Sequence, residues 1–380
     1  MKQAFTGADV FDGATIARDA CLVVEAGHVL EIADKLPKDA REIRLNGGTL
    51  APGFLDLQVN GGGGVMVDGQ TTADSLARLC ALHAGLGATG ILPTLITDTP
   101  KATARVIAAG IAAAKAKVPG FLGLHLEGPH LDPRRKGAHD ARMIRPMTDA
   151  DLALYLDAAA QLPSLMLTVA PASATSAQIA ALSGAGVIVS LGHSEATHAE
   201  AQAAIAAGAR AATHLFNAMS PLGNRDPGMV GAILSCDLAA GIIADGYHVA
   251  VPTLKIALAA RPRGLYLVSD CMAAAGSDLT EFTLGGRRIL RRDGRLTLED
   301  GTLAGADLTL AQAVKVMVDR VGLPLAQALA MVTVTPAALL RRGAEFGHLN
   351  PGMTADLVYL DPGLQLAGVW RAGQQVAVSA

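Results

Sequence analysis

The chain has 380 residues, of which 51% are hydrophobic and 17% are charged, and its formal net charge at pH 7 is −3. This composition predicts a large buried core, excludes a disordered protein and provides no basic surface for a nucleic acid. No apolar stretch reaches the roughly 18 to 20 residues of a membrane span, and Asp9 and Asp12 interrupt the N-terminal segment, so we expect a cytoplasmic protein that contacts no membrane.

The two ends of the chain share a β-like character. Short apolar pieces alternate with turn signals such as Asp12-Gly13 in residues 1–50 and Asn350-Pro351-Gly352 in residues 345–380. Neither segment is long enough to bury its own apolar face. We therefore predict one small β-sandwich domain formed by residues 1–50 together with 345–380, beside a catalytic domain of residues 51–344.

Between the two ends, eight apolar runs predict buried strands. They are Gly53–Val59, Gly90–Leu95, Phe121–Leu126, Leu165–Ala170, Val187–Leu191, Ala211–Leu215, Ala240–Ala244 and Leu265–Ser269. Ala- and Leu-rich segments of helical period separate most of them, which favours a parallel sheet, and eight such units favour a closed (β/α)8 TIM-type barrel. The alternative is an open doubly wound sheet, but its Gly-x-Gly-x-x-Gly turn is absent after the first run.

Several helix starts are also marked in the sequence. Thr148 and Asp151 have the spacing of a capping box, as do Thr309 and Gln312. A helix that begins at Ser194 or Thr197 is expected to run to Ala207 and to end at a glycine.

Four of the apolar runs end in residues that can bind a metal or transfer a proton. These residues are Glu127, His193, His214 and Asp270. In a parallel barrel the carboxyl ends of all strands open on one face, so these side chains are expected to share a pocket. Taken singly, a strand-end histidine is often only hydrogen-bonded to a neighbour, and Asp270 has a helix N-cap or a salt bridge as alternatives.

Together the four residues have the composition of a hydrolytic metal site. Two imidazoles and one carboxylate would hold a divalent ion and leave a position open for water. Hydrolysis of an amide also needs a base for the water proton and an acid for the departing amine. The single carboxylate of Asp270 can serve as both in turn.

The motifs around these residues resemble those of the N-acetylglucosamine-6-phosphate deacetylases of the metal-dependent amidohydrolase superfamily. The resemblance covers essentially the whole chain. Its motifs are Pro52–Asp56, Gly123–Pro129, Lys136–His139, Gly192–Ser194, Thr213–Met219, Asp245–His248 and Gly301–Gly305.

The resemblance implies a role for each matched position. Glu127, His193 and His214 match metal ligands, Asp270 matches the general base and acid, and His139 matches a residue that contacts the substrate near the scissile amide. Further positions match residues that hold the substrate: Ala138, Asn217, Ala218, Arg225, His248, Leu303, Ala304 and Gly305. Of these, Arg225 and His248 match residues that bind the sugar phosphate, and a forked, permanently charged arginine suits that task. The implied reaction is hydrolysis of the N-acetyl group of N-acetylglucosamine 6-phosphate to glucosamine 6-phosphate and acetate.

One departure from many amidohydrolases concerns the end of the first strand. Where those enzymes carry His-x-His, this chain has Gln58-Val59-Asn60. A neutral amide is a poor ligand compared with imidazole, so we expect one metal ion and not two. Zinc is the first choice for a His/His/Glu set, and iron, manganese or cobalt would fit the same ligands.

Three other functions remain open at this point. The nearest is the same deacetylation on N-acetylgalactosamine 6-phosphate or another N-acyl sugar. A cyclic-amide hydrolase or nucleobase deaminase would normally keep His-x-His, and a non-catalytic scaffold would not need the full set of four strand-end residues. The resemblance also implies a homodimer, in which Arg225 can reach the site of the neighbouring subunit.

Overall fold

The computed structural model describes residues 2–378. Its strands are β1 (Lys2–Thr6), β2 (Asp9–Phe11), β3 (Ile16–Ala17), β4 (Cys21–Glu25), β5 (His28–Ala33), β6 (Arg41–Arg44), β7 (Thr49–Pro52), β8 (Phe54–Val59), β9 (Gly61–Gly62), β10 (Val65–Met66), β11 (Ala88–Ile96), β12 (Leu124–Glu127), β13 (Leu165–Val169), β14 (Ile188–Leu191), β15 (Ala211–Ala212), β16 (Ala239–Ile242), β17 (Leu265–Leu267), β18 (Glu281–Leu284), β19 (Arg287–Arg292), β20 (Arg295–Leu298), β21 (Leu357–Leu360), β22 (Leu366–Arg371) and β23 (Gln374–Val376). Its helices are α1 (Ala73–Gly85), α2 (Pro100–Lys115), α3 (Asp149–Ala159), α4 (Ser176–Gly184), α5 (His198–Ala206), α6 (Gly228–Leu234), α7 (Val251–Ala260), α8 (Leu310–Val316), α9 (Leu325–Ala330) and α10 (Val334–Leu339). Within the described residues, none of the helices has both the length and the apolar character needed to cross a membrane.

The eight predicted runs form one parallel sheet, in the order β8, β11, β12, β13, β14, β15, β16 and β17. This confirms the TIM-type barrel and excludes the doubly wound alternative. The strands are almost wholly buried, because helices cover their outer faces and side chains fill the barrel interior. The third strand begins at Leu124 and not at Phe121, since Gly123 turns the chain with a φ of 134°.

The barrel closes between its first and last strands through a short, irregular seam. The amide of Asp270 donates to the carbonyl of Gln58 at 3.1 Å, and the amide of Asn60 donates to the carbonyl of Cys271 at 3.0 Å. Below them, the amide of Ser269 lies 3.3 Å from each carboxylate oxygen of Asp56. A buried side chain therefore accepts from the main chain at the seam that carries Asp270.

Two further sheets form the small β domain. A four-stranded sheet has the order β5-β4-β1-β6, and a six-stranded sheet has the order β23-β22-β21-β7-β2-β3. The second sheet takes strands from both ends of the chain, as predicted. Their shared core contains Phe5 and Trp370, whose rings meet edge to face at 5.1 Å. The exact division of the chain near residues 50 and 345 stays a prediction.

The helix starts follow the sequence signals closely. Capping boxes at Thr148 and Thr309 begin α3 and α8, as predicted. Of the two candidates before α5, Thr197 is the N-cap, because its side chain accepts from the amide of Glu200.

A three-stranded antiparallel sheet, β18–β20, was not predicted. It lies between the eighth barrel strand and α8 and packs Leu284, Ile289 and Leu296 against Met272 and Ala304. The pairs Gly285-Gly286 and Asp293-Gly294 at its two turns are hairpin signals that mark it in the sequence. We call this sheet the β insert.

The buried Asp56 predicts a specific dependence of stability on pH. Burial raises the pKa of its carboxyl to about 7, whereas an unfolded aspartate titrates at about 4. The folded state thus binds this proton more tightly, and its contribution to stability is lost as pH rises from about 4 to about 7. In Asp56→Asn that loss disappears, so the thermal midpoint should fall less between about pH 5 and about pH 8 than in the wild type.

The matched control is Asp34→Asn, which alters an exposed carboxylate. Its midpoints should follow the wild-type pH dependence. If Asp56→Asn also runs parallel to the wild type over this range, the carboxyl of Asp56 does not titrate as described.

Candidate active site

The four strand-end residues lie at the carboxyl face of the barrel, as predicted. Glu127 is the last residue of β12, His193 and His214 come two residues after β14 and β15, and Asp270 comes three residues after β17. The last three adopt left-handed backbone conformations, with φ of 45°, 33° and 49°. Such strain in non-glycine residues costs about 1–3 kcal/mol each and gathers at functional sites.

Glu127, His193 and His214 form a tight, buried triangle. The Oε1 atom of Glu127 lies 3.1 Å from Nε2 of His193 and 3.0 Å from Nε2 of His214, and the two Nε2 atoms are 3.0 Å apart. Burial alone would raise the pKa of Glu127, but the hydrogen bonds and charges of the two histidines outweigh it and hold the pKa well below its usual range.

This triangle fits a divalent metal ion. The Nδ1 atom of His193 lies 2.8 Å from the carbonyl of Arg135, which can only accept, so Nδ1 carries a proton and the neutral ring would present the lone pair of Nε2 to a metal ion. Lone pairs packed this closely are stabilised by a cation between them. Ligands of a tetrahedral zinc with bonds of about 2.0–2.1 Å are separated by about 3.3 Å, close to the sides of this triangle.

His139 lies beside the triangle, but its Nδ1 accepts a hydrogen bond where Nδ1 of His193 donates one. It offers a ring nitrogen within 4.8 Å of ligand atoms of Glu127 and His193, so geometry alone would admit it as a ligand. Its Nδ1, however, accepts from the amide of Thr97 at 3.2 Å, and burial, then the charge of His193, lowers its pKa to about 3. The neutral ring therefore carries its proton on Nε2. We propose His214 as the third metal ligand and His139 as a hydrogen-bond donor.

Asp270 is fixed by the two amide side chains that replace His-x-His. Nε2 of Gln58 lies 3.1 Å from Oδ1 of Asp270 and 3.2 Å from each carboxylate oxygen of Glu127, and Nδ2 of Asn60 lies 2.7 Å from Oδ1 of Asp270. A carboxylate only accepts, so both amides donate here and offer no oxygen to a second ion at these contacts. Burial, then the charge of Glu127, raises the pKa of Asp270 to about 6.

A row of buried polar side chains lies one layer deeper in the barrel. Nδ1 of His125 faces the carbonyl of Leu57, and its Nε2 lies 2.7 Å from the hydroxyl of Thr168. The hydroxyl of Thr213 lies 2.7 Å from those of both Thr168 and Ser190. These bonds link β12, β13 and β14 to the residue before His214, and so set the spacing of the strands that carry the triangle.

These groups open into a cavity of about 420 Å³. Most of the predicted site residues line it: Asn60, Glu127, Ala138, His139, His193, His214, Asn217, Ala218, His248, Asp270, Leu303 and Gly305. Six others on the wall were not predicted as site residues, although Gly137, Gly301 and Thr302 lie within the motifs that carry the resemblance: Ile96, Gly137, Ile243, Met272, Gly301 and Thr302.

Three predicted residues do not line this cavity. Gln58 lies beneath it in contact with the carboxylates, and Ala304 is buried in the apolar cluster of the β insert. Arg225 lies on an exposed loop between β15 and α6. The role of Arg225 in a neighbouring subunit stays a prediction.

Comparison with known proteins places this site in a family. A model described as the amidohydrolase family matches residues 49–378. The chain belongs to the amidohydrolase family.

Individual relatives of this amidohydrolase carry more specific names. It is 39% identical over 340 residues to the N-acetylgalactosamine-6-phosphate deacetylase of Shewanella sp. (strain ANA-3), covering 88% of this chain and 85% of the relative. It is 34% identical over 386 residues to the N-acetylglucosamine-6-phosphate deacetylase of Haemophilus influenzae, covering 97% of each. The crystal structure of N-acetylglucosamine-6-phosphate deacetylase from Pasteurella multocida matches with a TM-score of 0.94 and 33% identity over 99% of both chains. The resemblance recognised in the motifs is confirmed.

The β insert completes the wall of the amidohydrolase site. The guanidinium of Arg287 donates to the carbonyl of Ala138, the residue before His139. The insert thus contacts the loop that holds His139, and Gly301–Leu303 directly after it line the cavity.

The two possible metal triads differ in one histidine and can be separated by metal analysis. We expect His214→Ala and His193→Ala to lose affinity by more than the roughly 10- to 100-fold typical of an outer-shell partner, because each removes a ligand. His139→Ala should retain the wild-type metal content, measured by plasma mass spectrometry after dialysis. Retention by His214→Ala together with loss by His139→Ala would assign the site to the other triad.

Proposed function

We propose that this amidohydrolase removes the N-acetyl group of N-acetyl-D-glucosamine 6-phosphate, giving D-glucosamine 6-phosphate and acetate. The observation that carries the proposal is the buried Glu127–His193–His214 triangle with Asp270 and His139 beside it in one cavity. Relatives that this chain matches over nearly its full length are named as deacetylases of this kind.

The proposed cofactor is one divalent metal ion per subunit, held by Glu127, His193 and His214. Zinc is the first candidate, with iron, manganese and cobalt as alternatives. When bound, such an ion polarises a carbonyl oxygen and lowers the pKa of water toward neutrality. The donor amides of Gln58 and Asn60 support a single ion at this face.

Asp270 is the proposed general base and then general acid. Both amides donate to its Oδ1, so Oδ2 stays free to take the proton from the attacking water and to pass it to the leaving nitrogen. The Nε2–H of His139 donates to the amide oxygen as negative charge develops there. Buried walls around both groups limit their exchange of protons with bulk water.

The sugar is bound by the rest of the cavity wall. Asn217, Ala218, Leu303 and Gly305 would contact the ring, and His248 would meet the phosphate. Arg225 would supply the permanent charge for that phosphate from the neighbouring subunit of a homodimer, since it stands outside its own cavity. We also propose a cytoplasmic location, because a phosphorylated sugar does not diffuse through a membrane.

The function is tested by deacetylation of two sugar phosphates with added Zn²⁺, Fe²⁺, Mn²⁺ or Co²⁺. We expect release of acetate from N-acetylglucosamine 6-phosphate, with a higher kcat/KM than for N-acetylgalactosamine 6-phosphate. The opposite order would assign the enzyme to the galactosamine substrate named for the Shewanella relative. Absence of acetate release from both with every metal would reject the proposal.

The proton-transfer role is tested by Asp270→Asn. The asparagine oxygen can keep the bonds from Gln58 and Asn60, while the basic Oδ2 is lost. We expect kcat to fall by about 10²- to 10⁴-fold with metal content unchanged. Near wild-type turnover in a metal-loaded Asp270→Asn protein would remove Asp270 from the mechanism.

A further inference from the structure

The loop after β16 contains the buried carboxylate of Asp245, whose two oxygens have different hydrogen-bond partners. Oδ1 of Asp245 accepts from the amides of Tyr247 and His248, both at 2.8 Å. Its Oδ2 accepts from Nδ1 of His248 at 2.6 Å, and the two side chains are 5% and 7% exposed. One oxygen holds the main chain of the loop and the other holds the imidazole.

His248 lines the active-site cavity, so its contact with Oδ2 of Asp245 can affect how a substrate is bound. The described residues that line the active-site cavity include no arginine or lysine, while Glu127 and Asp270 contribute two carboxylates. His248 is the group on that wall, outside the metal triangle and the neutral His139, that can become a cation. An anionic substrate that enters the cavity of one subunit therefore meets the imidazole of His248 as the basic side chain available to it on that wall.

We propose that Asp245 is a positioning residue that makes His248 a binding group for the substrate phosphate. This inference rests on the proposed function. Because Nδ1–H is directed to Asp245, Nε2 donates to a phosphate oxygen only when it also carries a proton. The bound state is thus a carboxylate–imidazolium–phosphate row, in which Asp245 supplies the counter-charge for His248.

The surroundings of Asp245 support this pairing. A second cavity of about 390 Å³ lies behind it, lined also by Lys315, Asp319 and Arg320. Among the described residues, His248 is nevertheless the basic side chain that lies within 4.0 Å of the carboxylate of Asp245. Burial opposes ionisation of Asp245, but the bonds from His248 and the loop outweigh it and lower its pKa.

Because the two oxygens of Asp245 have different partners, one substitution can remove the contact with the imidazole and keep the contacts with the main chain. In Asp245→Asn the side-chain oxygen can still accept from the amides of Tyr247 and His248, whereas the amide nitrogen cannot accept from Nδ1–H. We expect kcat/KM for the phosphorylated sugar to fall about tenfold or more, chiefly through KM. Activity on unphosphorylated N-acetylglucosamine should stay within about twofold, because it makes no phosphate contact.

Asp319→Asn is the matched control, since it neutralises a carboxylate on the second cavity that pairs with Lys315. It should leave the ratio of the two kcat/KM values unchanged. In a double-mutant cycle, Asp245→Asn should cause little further loss once His248 is replaced by alanine, because the carboxylate acts through that ring. Asp245→Ser keeps a short acceptor for the loop and replaces the asparagine variant if that protein does not fold.

The measurements distinguish a failure of this inference from a failure of the proposed function. If the wild type deacetylates the phosphorylated sugar but Asp245→Asn lowers both substrates equally, Asp245 only supports the loop and the inference is rejected. The same holds if the losses from Asp245→Asn and His248→Ala are additive. A wild type that shows no preference for the phosphorylated sugar would overturn the proposed function and this inference with it.

Discussion

The site depends on holding two carboxylates and two imidazoles together in an apolar barrel mouth. Buried charges are tolerated only when they are paired or hydrogen-bonded. Gln58 and Asn60 supply donors to both carboxylates, and the carbonyl of Arg135 orients His193. A cation inside the triangle would complete this compensation, and a divalent metal ion is the one we propose.

The parallel barrel explains why so much of this site could be predicted from the sequence. An apolar run shows where a strand ends, and closure brings such ends together, so Glu127, His193, His214 and Asp270 could be placed in one pocket before any distance was known. The run Val187–Leu191 is an example, since β14 lies within it and His193 follows. Periodicity carries this information because it reports burial directly.

Other features depend on contacts that no local pattern reports. The protonation of His139 is set by the amide of Thr97, 42 residues earlier in the chain. The seam at Asp56 needs a partner more than 200 residues away. The β insert had turn signals, but its role in covering Ala138 depends on tertiary packing. Positions defined by the end of one strand were thus predictable, whereas these particular contacts between distant side chains and main-chain groups were not.

The amides at the first strand end also constrain how this site can evolve. Gln58 bridges Glu127 and Asp270, whereas a neutral histidine at that position has a single N–H and could donate to only one of the two buried carboxylates. Unless a second ion arrived with it, the two negative charges would face each other without a bridge. If the site holds one ion as proposed, a change to two ions would pass through a disfavoured single substitution at position 58.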